Sequence, residues 1–288
     1  MFSGSIVAIV TPFKTEGVDF EKLEELVEMH VEAGTDAIVP CGTTGESPTL
    51  THDEHDAVIE RVVKAVDKRC PVIAGTGSNS TAEAIRLTKH AQEVGADASL
   101  QVCPYYNKPT QEGLYRHFKA VAEAVDIPLV LYNIPGRSGR NIEPDTIVRL
   151  GAIKNIVAVK EAAGSTDQVT ELVAKTDLAI LSGDDGMTLP FMAVGARGVI
   201  SVVANIVPGD VRKMVHAFLD GDAEGAREVN RKLYPLAKAM FVETNPGPVK
   251  AAMEMMGLIS ADVRLPLVRP SKASQQKIRN ALASYGLL

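Results

Sequence analysis

The sequence predicts an α/β protein, a (β/α)8 TIM barrel with a C-terminal helical extension. Three observations lead there. Eight short β-branched runs alternate with stretches whose apolar residues recur at helix spacing. The strand-then-helix unit repeats at intervals of roughly 20 to 35 residues. After residue 205 the strand-like runs stop and only helical patterns follow. A length of 288 residues suits this class, because α/β barrels of about 250 residues are commonly one domain.

The eight runs cover residues 5–13, 36–42, 71–77, 98–106, 128–135, 156–164, 178–185 and 198–205. Each is short and apolar and ends near Gly, Pro or Asn, as strands of a buried parallel sheet do. Helix spacing shows first in Phe20, Leu23, Val27, His30 and Val31. It returns in Val58, Ile59, Val62, Val63 and Val66, then in Ala84, Leu87, Ala91 and Val94, then in Leu114, Phe118, Val121 and Val125. Beyond the eighth run, residues 208–219, 223–242, 246–256 and 271–284 read as helices separated by Gly, Asn and Pro. The first of these closes the barrel. The expected division is therefore 1–222 for the catalytic barrel and 223–288 for the helical region. An open doubly wound sheet is the alternative, and it would want a dinucleotide fingerprint. Gly75-Thr76-Gly77-Ser78-Asn79-Ser80 starts like one but lacks the third glycine, so a tight strand-to-helix turn suits it better.

The composition is that of an ordinary globular chain, 45% hydrophobic and 23% charged, with a formal net charge of −6. The acidic balance argues against nucleic acid or an anionic membrane as partner, yet leaves anionic substrates open to local arginines. Cys41, Cys70 and Cys103 include no CxxC pair, so neither a disulfide framework nor a zinc site is expected. No basic residue precedes the first apolar stretch, and Thr11-Pro12 ends it, so it reads as a strand rather than a signal peptide. No apolar run approaches the ~18 residues of a membrane span. The cytoplasm is the expected location.

Active sites of this fold sit at the C-terminal ends of the strands. Lys160 stands there, in Ile156-Val157-Ala158-Val159-Lys160-Glu161. Burial would push a lysine's pKa down, and a partly neutral lysine is a nucleophile for carbonyl carbons. The alternative is a lysine that snorkels to the rim or pairs with Glu161. Gly42-Thr43-Thr44-Gly45 offers hydroxyls and backbone N–H groups suited to a small carboxylate, and equally suits a plain glycine-rich turn. Tyr105, Tyr106 and Tyr132 close the fourth and fifth runs. A phenol can relay the protons that making and breaking an imine requires. Arg137 follows a Pro-Gly turn and reads either as a surface ion pair or as a planar fork for a carboxylate. Asp184 and Asp185 have no histidine nearby and read as a helix N-cap rather than a metal site. Cys41 and Cys103 have no basic partner in the local pattern and read as packing residues.

Taken together and in order, these motifs resemble the dihydrodipicolinate synthase family, one of the pyruvate-dependent class I aldolases that also include N-acetylneuraminate lyase. The resemblance runs from about Gly4 to the C-terminal helices. It rests on Cys41–Ser47, Gly75–Asn79, Pro104–Pro109, Tyr132–Arg137, Val159–Ala162, Ser182–Asp185 and Gly198–Val202. It implies a Schiff base between Lys160 and pyruvate, condensed with L-aspartate 4-semialdehyde on the route to lysine and diaminopimelate, without metal or organic cofactor. It implies that Tyr132 carries protons, linked through Thr43 to a Tyr106 that reaches in from the neighbouring subunit of a tight dimer. Thr44, with the Thr43 and Thr44 amides, would hold the pyruvate carboxylate. Arg137 would clamp the second substrate, and Gly183 and Ile200 would line the pocket. It also implies a homotetramer built as a dimer of dimers. Ser47, His52, His55, Asn79, Glu83 and Tyr105 match a lysine-feedback site at the dimer interface, while Pro48 stands where the family often has a small residue.

Three other functions compete. Another pyruvate aldolase would cleave a sugar acid or hydroxy-oxo acid; Arg137 favours a second substrate with its own carboxylate. A non-catalytic sensor would bind pyruvate or lysine without turnover, yet gains little from a buried nucleophile. An NAD-dependent oxidoreductase would need the glycine fingerprint that is incomplete here.

Overall fold

The computed structural model describes residues 2–288. Eight parallel strands form one sheet: β1 (Gly4–Ala8), β2 (Ala37–Val39), β3 (Ile73–Gly75), β4 (Ala98–Val102), β5 (Leu129–Asn133), β6 (Ile156–Glu161), β7 (Ala179–Ser182) and β8 (Gly198–Ser201). Each strand pairs with its neighbours in sequence, and β1 pairs with β8 from Gly4↔Gly198 to Val7↔Ser201. A single bridge, Ile38↔Val72, joins β2 to the approach of β3 and closes the ring. The sheet is therefore a barrel, and the open-sheet alternative is excluded.

Eight helices follow the strands in turn: α1 (Phe20–Glu32), α2 (His52–Val66), α3 (Thr81–Glu93), α4 (Gln111–Glu123), α5 (Pro144–Gly151), α6 (Thr166–Lys175), α7 (Thr188–Ala193) and α8 (Pro208–Leu219). Their starts are chemically marked. Asp19, Ser80, Thr110 and Ser165 each accept a hydrogen bond from a first-turn backbone N–H. Thr51 and Glu54 form a reciprocal capping box on α2. Beyond the barrel come α9 (Ala223–Ala239), α10 (Gly247–Met255) and α11 (Lys272–Tyr285).

Strand alternation divides the core into two shells. Ile6, Ala8, Val39, Leu100, Val130, Tyr132, Ala158, Leu181 and Ile200 fill the barrel interior. Val7, Ile38, Leu131, Val159, Ile180 and Val199 point outward and pack under the helices, with Leu23, Ile59 and Phe118. Leu233, Leu236, Val249, Met253 and Ile278 of the last three helices belong to that outer cluster.

The strands are shorter than the apolar runs suggested. The run 5–13 ends as a strand at Ala8, and Phe13–Lys14 instead pairs antiparallel with Gly17–Val18 across a tight turn. The run 98–106 is a strand only to Val102, because Pro104 cannot donate to a ladder. What looked like strand ends are loops over the barrel mouth, and they carry the polar residues of interest.

Candidate active site

Lys160 and Tyr132 are register partners on β6 and β5, so alternation aims both at the same face. Lys160 is 5% exposed, and its Nζ lies 4.2 Å from the centroid of the Tyr132 ring. Burial pulls its pKa down from 10.5 to about 7, against the raising charge of Asp185 and with help from Arg137. The snorkelling reading is thus excluded by burial. The pairing with Glu161 is excluded by alternation, which sends Glu161 to the other face of β6.

Tyr132 is also buried, and burial pushes its phenol up to about 12. The Arg137 charge and a hydrogen bond with the Thr43 side chain pull the other way. The phenol therefore holds its proton at neutral pH while touching both the lysine and a hydroxyl. Around it opens a cavity of about 200 Å³, lined by Cys41, Gly42, Thr43, Ser47, Tyr105, Tyr132, Ile134 and Arg137 among others.

The turn after β2 is built with little tolerance. Gly45 packs where a Cβ would stand 3.0 Å from the Cys41 nitrogen, and the Thr11 hydroxyl donates to the Gly45 carbonyl at 2.7 Å. Glu46 follows with φ +55, a left-handed value that costs a residue with a side chain about 1 kcal/mol or more. Thr44 is buried and its Oγ1 accepts from Asn245 Nδ2 at 3.0 Å. The Asn245 carbonyl in turn accepts from Arg137 Nη2 at 3.2 Å. One asparagine thus joins the threonine turn to the exposed arginine. Gly183 lies beside the lysine: a Cβ there would come within 3.2 Å of Lys160 Cε and 2.8 Å of Ala162 Cβ. Ile200 is buried in β8, paired with Ile6 of β1.

Tyr106 stands apart from this group. It is 90% exposed, with φ +70. Within one chain the loop carries it away from Tyr132, and Tyr105 lines the cavity instead.

A second polar cluster lies at the start of α2 and α3. His52 Nε2 is 3.3 Å from Glu83 Oε1, and Asn79 Nδ2 donates to the Tyr105 carbonyl at 3.3 Å. The Ser78 hydroxyl donates to Glu83 in a short hydrogen bond. Burial and the Glu83 charge both raise the Tyr105 phenol. Ser47 shares the main cavity with Tyr105. His55 is buried, with Nε2 2.9 Å from the Gly75 carbonyl, so it serves the barrel wall more directly than the cluster.

Asp184 is an N-cap as expected, its Oδ1 accepting from the Gly186 N–H at 2.8 Å. Asp185 is not. It is buried and accepts from Ser201 Oγ at 2.5 Å and from the Val202 and Val203 N–H groups at 3.0 and 3.1 Å. It therefore ties β7 to the loop after β8. Cys41 and Cys103 are buried and desolvation raises both thiols, which suits packing rather than nucleophilic work. Among the described residues no three His, Cys, Asp or Glu side chains gather as a metal site.

The structure thus sets a buried lysine near neutrality against a phenol that lines one cavity with Thr43. Residues 1–285 match the family described as dihydrodipicolinate synthetase. The chain belongs to the dihydrodipicolinate synthetase family. Its members are lyases of the class I aldolase type. The chain is 56% identical to the 4-hydroxy-tetrahydrodipicolinate synthase of Syntrophus aciditrophicus and 58% identical to that of Geotalea uraniireducens, covering 100% of both chains in each case. Among solved structures of the family, the Acinetobacter baumannii dihydrodipicolinate synthase complexed with pyruvate superposes with a TM-score of 0.98 at 48% identity, over 100% of both chains. The Cyanidioschyzon merolae enzyme with lysine bound gives 0.97 at 43%, over 100% of this chain and 99% of the other. A monomeric dihydrodipicolinate synthase variant gives 0.98 at 45%, over 100% and 98%.

Sequence reasoning missed three members of the site. Asn245 carried no signal beyond a loop Asn-Pro. Lys250 and Glu46 form a fully buried ion pair, Nζ to Oε1 2.6 Å, that clamps the threonine turn to α10. The signal was present: Lys250 interrupts an apolar stretch, Val249 to Met253, as Lys160 interrupts β6.

Proposed function

We propose that this member of the family is a 4-hydroxy-tetrahydrodipicolinate synthase, condensing pyruvate with L-aspartate 4-semialdehyde. The observation that carries the reading is Lys160, buried, drawn down to about 7 and set 4.2 Å from the Tyr132 ring. The relatives' names and the pyruvate complex of the Acinetobacter enzyme support the choice of substrates.

The chemistry follows from the side chains. Neutral Lys160 attacks the pyruvate ketone, and water leaves as the imine forms. The Thr43–Thr44 turn receives the pyruvate carboxylate, and Thr44 is pre-set by Asn245. The imine withdraws electrons, so a methyl proton departs and an enamine remains. Its carbon bonds to the aldehyde carbon of the second substrate, whose oxygen takes up a proton. The substrate amine then attacks the imine carbon and expels Lys160, which closes the ring. Tyr132, protonated at rest and hydrogen-bonded with Thr43, carries the protons. Tyr106 completes that relay from a neighbouring subunit, a role its 90% exposure fits. Arg137, held by the Asn245 carbonyl, receives the second carboxylate. Gly183 leaves room beside the lysine, and Ile200 closes the floor of the site.

The cluster of Ser47, His52, Asn79, Glu83 and Tyr105, with His55 behind it, is the proposed lysine site. Glu83 supplies the anion an ammonium needs, and a lysine-bound relative supports the assignment. A homotetramer made of two tight dimers is the proposed assembly, although a monomeric relative shows that assembly varies in the family. The division into a barrel (1–222) and a helical region (223–288) is likewise our reading. Among the described residues no helix is long and apolar enough to cross a membrane, and three free thiols fit the reducing cytoplasm.

The test is turnover with pyruvate and aspartate 4-semialdehyde, beside N-acetylneuraminate and 2-keto-3-deoxygluconate. Condensation with the semialdehyde and no cleavage of the sugar acids is expected. Faster cleavage of a sugar acid would overturn the assignment in favour of another pyruvate aldolase.

A further inference from the structure

Behind the wall that carries Lys160 and Tyr132 lies a closed polar network. Glu161 and Asn133 are the next register pair on β6 and β5, and both are fully buried on the helix side of the barrel. The Glu161 carboxylate is saturated with neutral donors. Asn133 Nδ2 donates to both oxygens at 3.2 and 3.0 Å, the Ala163 N–H to Oε1 at 2.7 Å and Gln168 Nε2 to Oε2 at 2.9 Å. Asn133 also donates to Asn141 Oδ1 at 2.7 Å and accepts from the Ile142 N–H at 2.9 Å. Asn141 Nδ2 closes the ring on Gln168 Oε1 at 2.9 Å.

The topology gives this ring leverage. The chain leaves β5 at Asn133, runs through Arg137 and returns at Asn141–Ile142 to the side chain of the same Asn133. The excursion that bears the arginine is therefore pinned at both ends by one residue. That residue is oriented by Glu161, whose backbone neighbour is Lys160. A buried carboxylate held only by amides is expensive unless every donor is in place, so the ring has one arrangement.

We propose that Glu161 is a positioning residue that, through Asn133, Asn141 and Gln168, aims Lys160, Tyr132 and Arg137 as one unit. The proposal rests on the function proposed above and adds the device that joins the imine-forming wall to the second-substrate clamp. Glu161→Gln keeps the shape but replaces an acceptor oxygen by an NH2. Each carboxylate oxygen accepts at least two N–H groups, so either amide orientation sets donor against donor. The double variant Glu161→Gln/Gln168→Glu swaps the roles. The new amide donates to the new carboxylate, its oxygen still accepts from Asn133 and Ala163, and Asn141 Nδ2 still finds an acceptor at 168; the Asn133 bond to Oε2 at 3.0 Å and the Gln168 bond to Asn141 Oδ1 at 3.3 Å are not restored.

The experiment measures borohydride-trapped imine formation with pyruvate and steady-state kinetics for both substrates, in wild type, Glu161→Gln, the double swap and Asn141→Ala, each checked for folding by circular dichroism. Glu161→Gln should slow imine formation and lower kcat by about tenfold or more, and raise KM for the semialdehyde. The double swap should recover part of both. Asn141→Ala, which cuts the excursion from Asn133 and Gln168 but leaves every donor to Glu161 in place, should raise the semialdehyde KM about fivefold and leave imine formation within about twofold. If Glu161→Gln fails to fold, the double swap and Asn141→Ala still decide. Wild-type kinetics in a folded Glu161→Gln, a folded double swap that recovers nothing, or an Asn141→Ala that slows imine formation as much as turnover would overturn the proposal. A wild type that forms no imine would instead overturn the function on which it rests.

Discussion

Two lysines are buried in this molecule, and their surroundings are opposite in kind. Lys160 ends β6 at the barrel mouth and is 5% exposed; Lys250 sits inside α10 and is fully buried. Lys250 Nζ donates to Glu46 Oε1 at 2.6 Å and to the Thr11 carbonyl at 2.9 Å, and lies 4.2 Å from the Phe13 ring centroid. Burial lowers its pKa, and the charge and hydrogen bond of Glu46 offset part of that. Lys160 has an aromatic ring of its own at 4.2 Å, and the carboxylate acting on it, Asp185, is already occupied by Ser201 and two backbone N–H groups. Burial alone does not make a nucleophile. It does so only where no close carboxylate holds the proton on.

The comparison predicts opposite mutants. Lys160→Met should reduce turnover to below about a thousandth, since the covalent route is gone. It should also raise the melting temperature at neutral pH. Because the folded-state pKa is about 7 against the ordinary 10.5, the fold bears the full cost of a desolvated ammonium below pH 7. That cost fades as pH rises towards 10.5, so the stabilisation of Lys160→Met should fade with it. Thermal melts across that range check the sign.

Lys250→Met should do the reverse. It strands Glu46 as a buried charge and should destabilise by about 3–5 kcal/mol. Glu46→Gln/Lys250→Met should regain part of that in denaturant titrations, because neither charge is then left alone. Equal losses in single and double variants would break the comparison.

Smaller effects sharpen it. Arg137→Ala should raise KM for the semialdehyde about tenfold or more and leave KM for pyruvate nearly unchanged. The rate constant kcat/KM for pyruvate should climb through about pH 7 and then level, as neutral Lys160 accumulates in the free enzyme. A profile that is flat from pH 6 to 8 would mean that Lys160 titrates elsewhere.

The contrast also shows what was legible in the chain. The barrel was legible because each βα unit writes its period locally, in β-branched runs and in helix faces such as Leu114, Phe118 and Val121. Lys160 was legible because a charge at the end of an apolar strand is rare. Lys250 carried the same anomaly in a helix, but its partner lies far back in the chain, and no local rule places Glu46 beside it. Strand ends were overread because parallel strands stop where the barrel mouth flares, which depends on neighbours rather than on composition. Asp185 was misread for the same reason: its partners Ser201 to Val203 belong to the next strand and its loop. Tyr106 was not legible as an outlier: nothing in its local run announces that its loop leaves it 90% exposed, away from Tyr132.

The central claim is that Lys160, and not the still more deeply buried Lys250, is the nucleophile. Borohydride reduction in the presence of pyruvate, followed by intact and peptide mass spectrometry, tests it directly, with Lys160→Ala as control. A single pyruvyl adduct on the peptide containing Lys160, absent from the control, is the predicted result. An adduct on the peptide containing Lys250, or none on the folded wild type, would contradict the account.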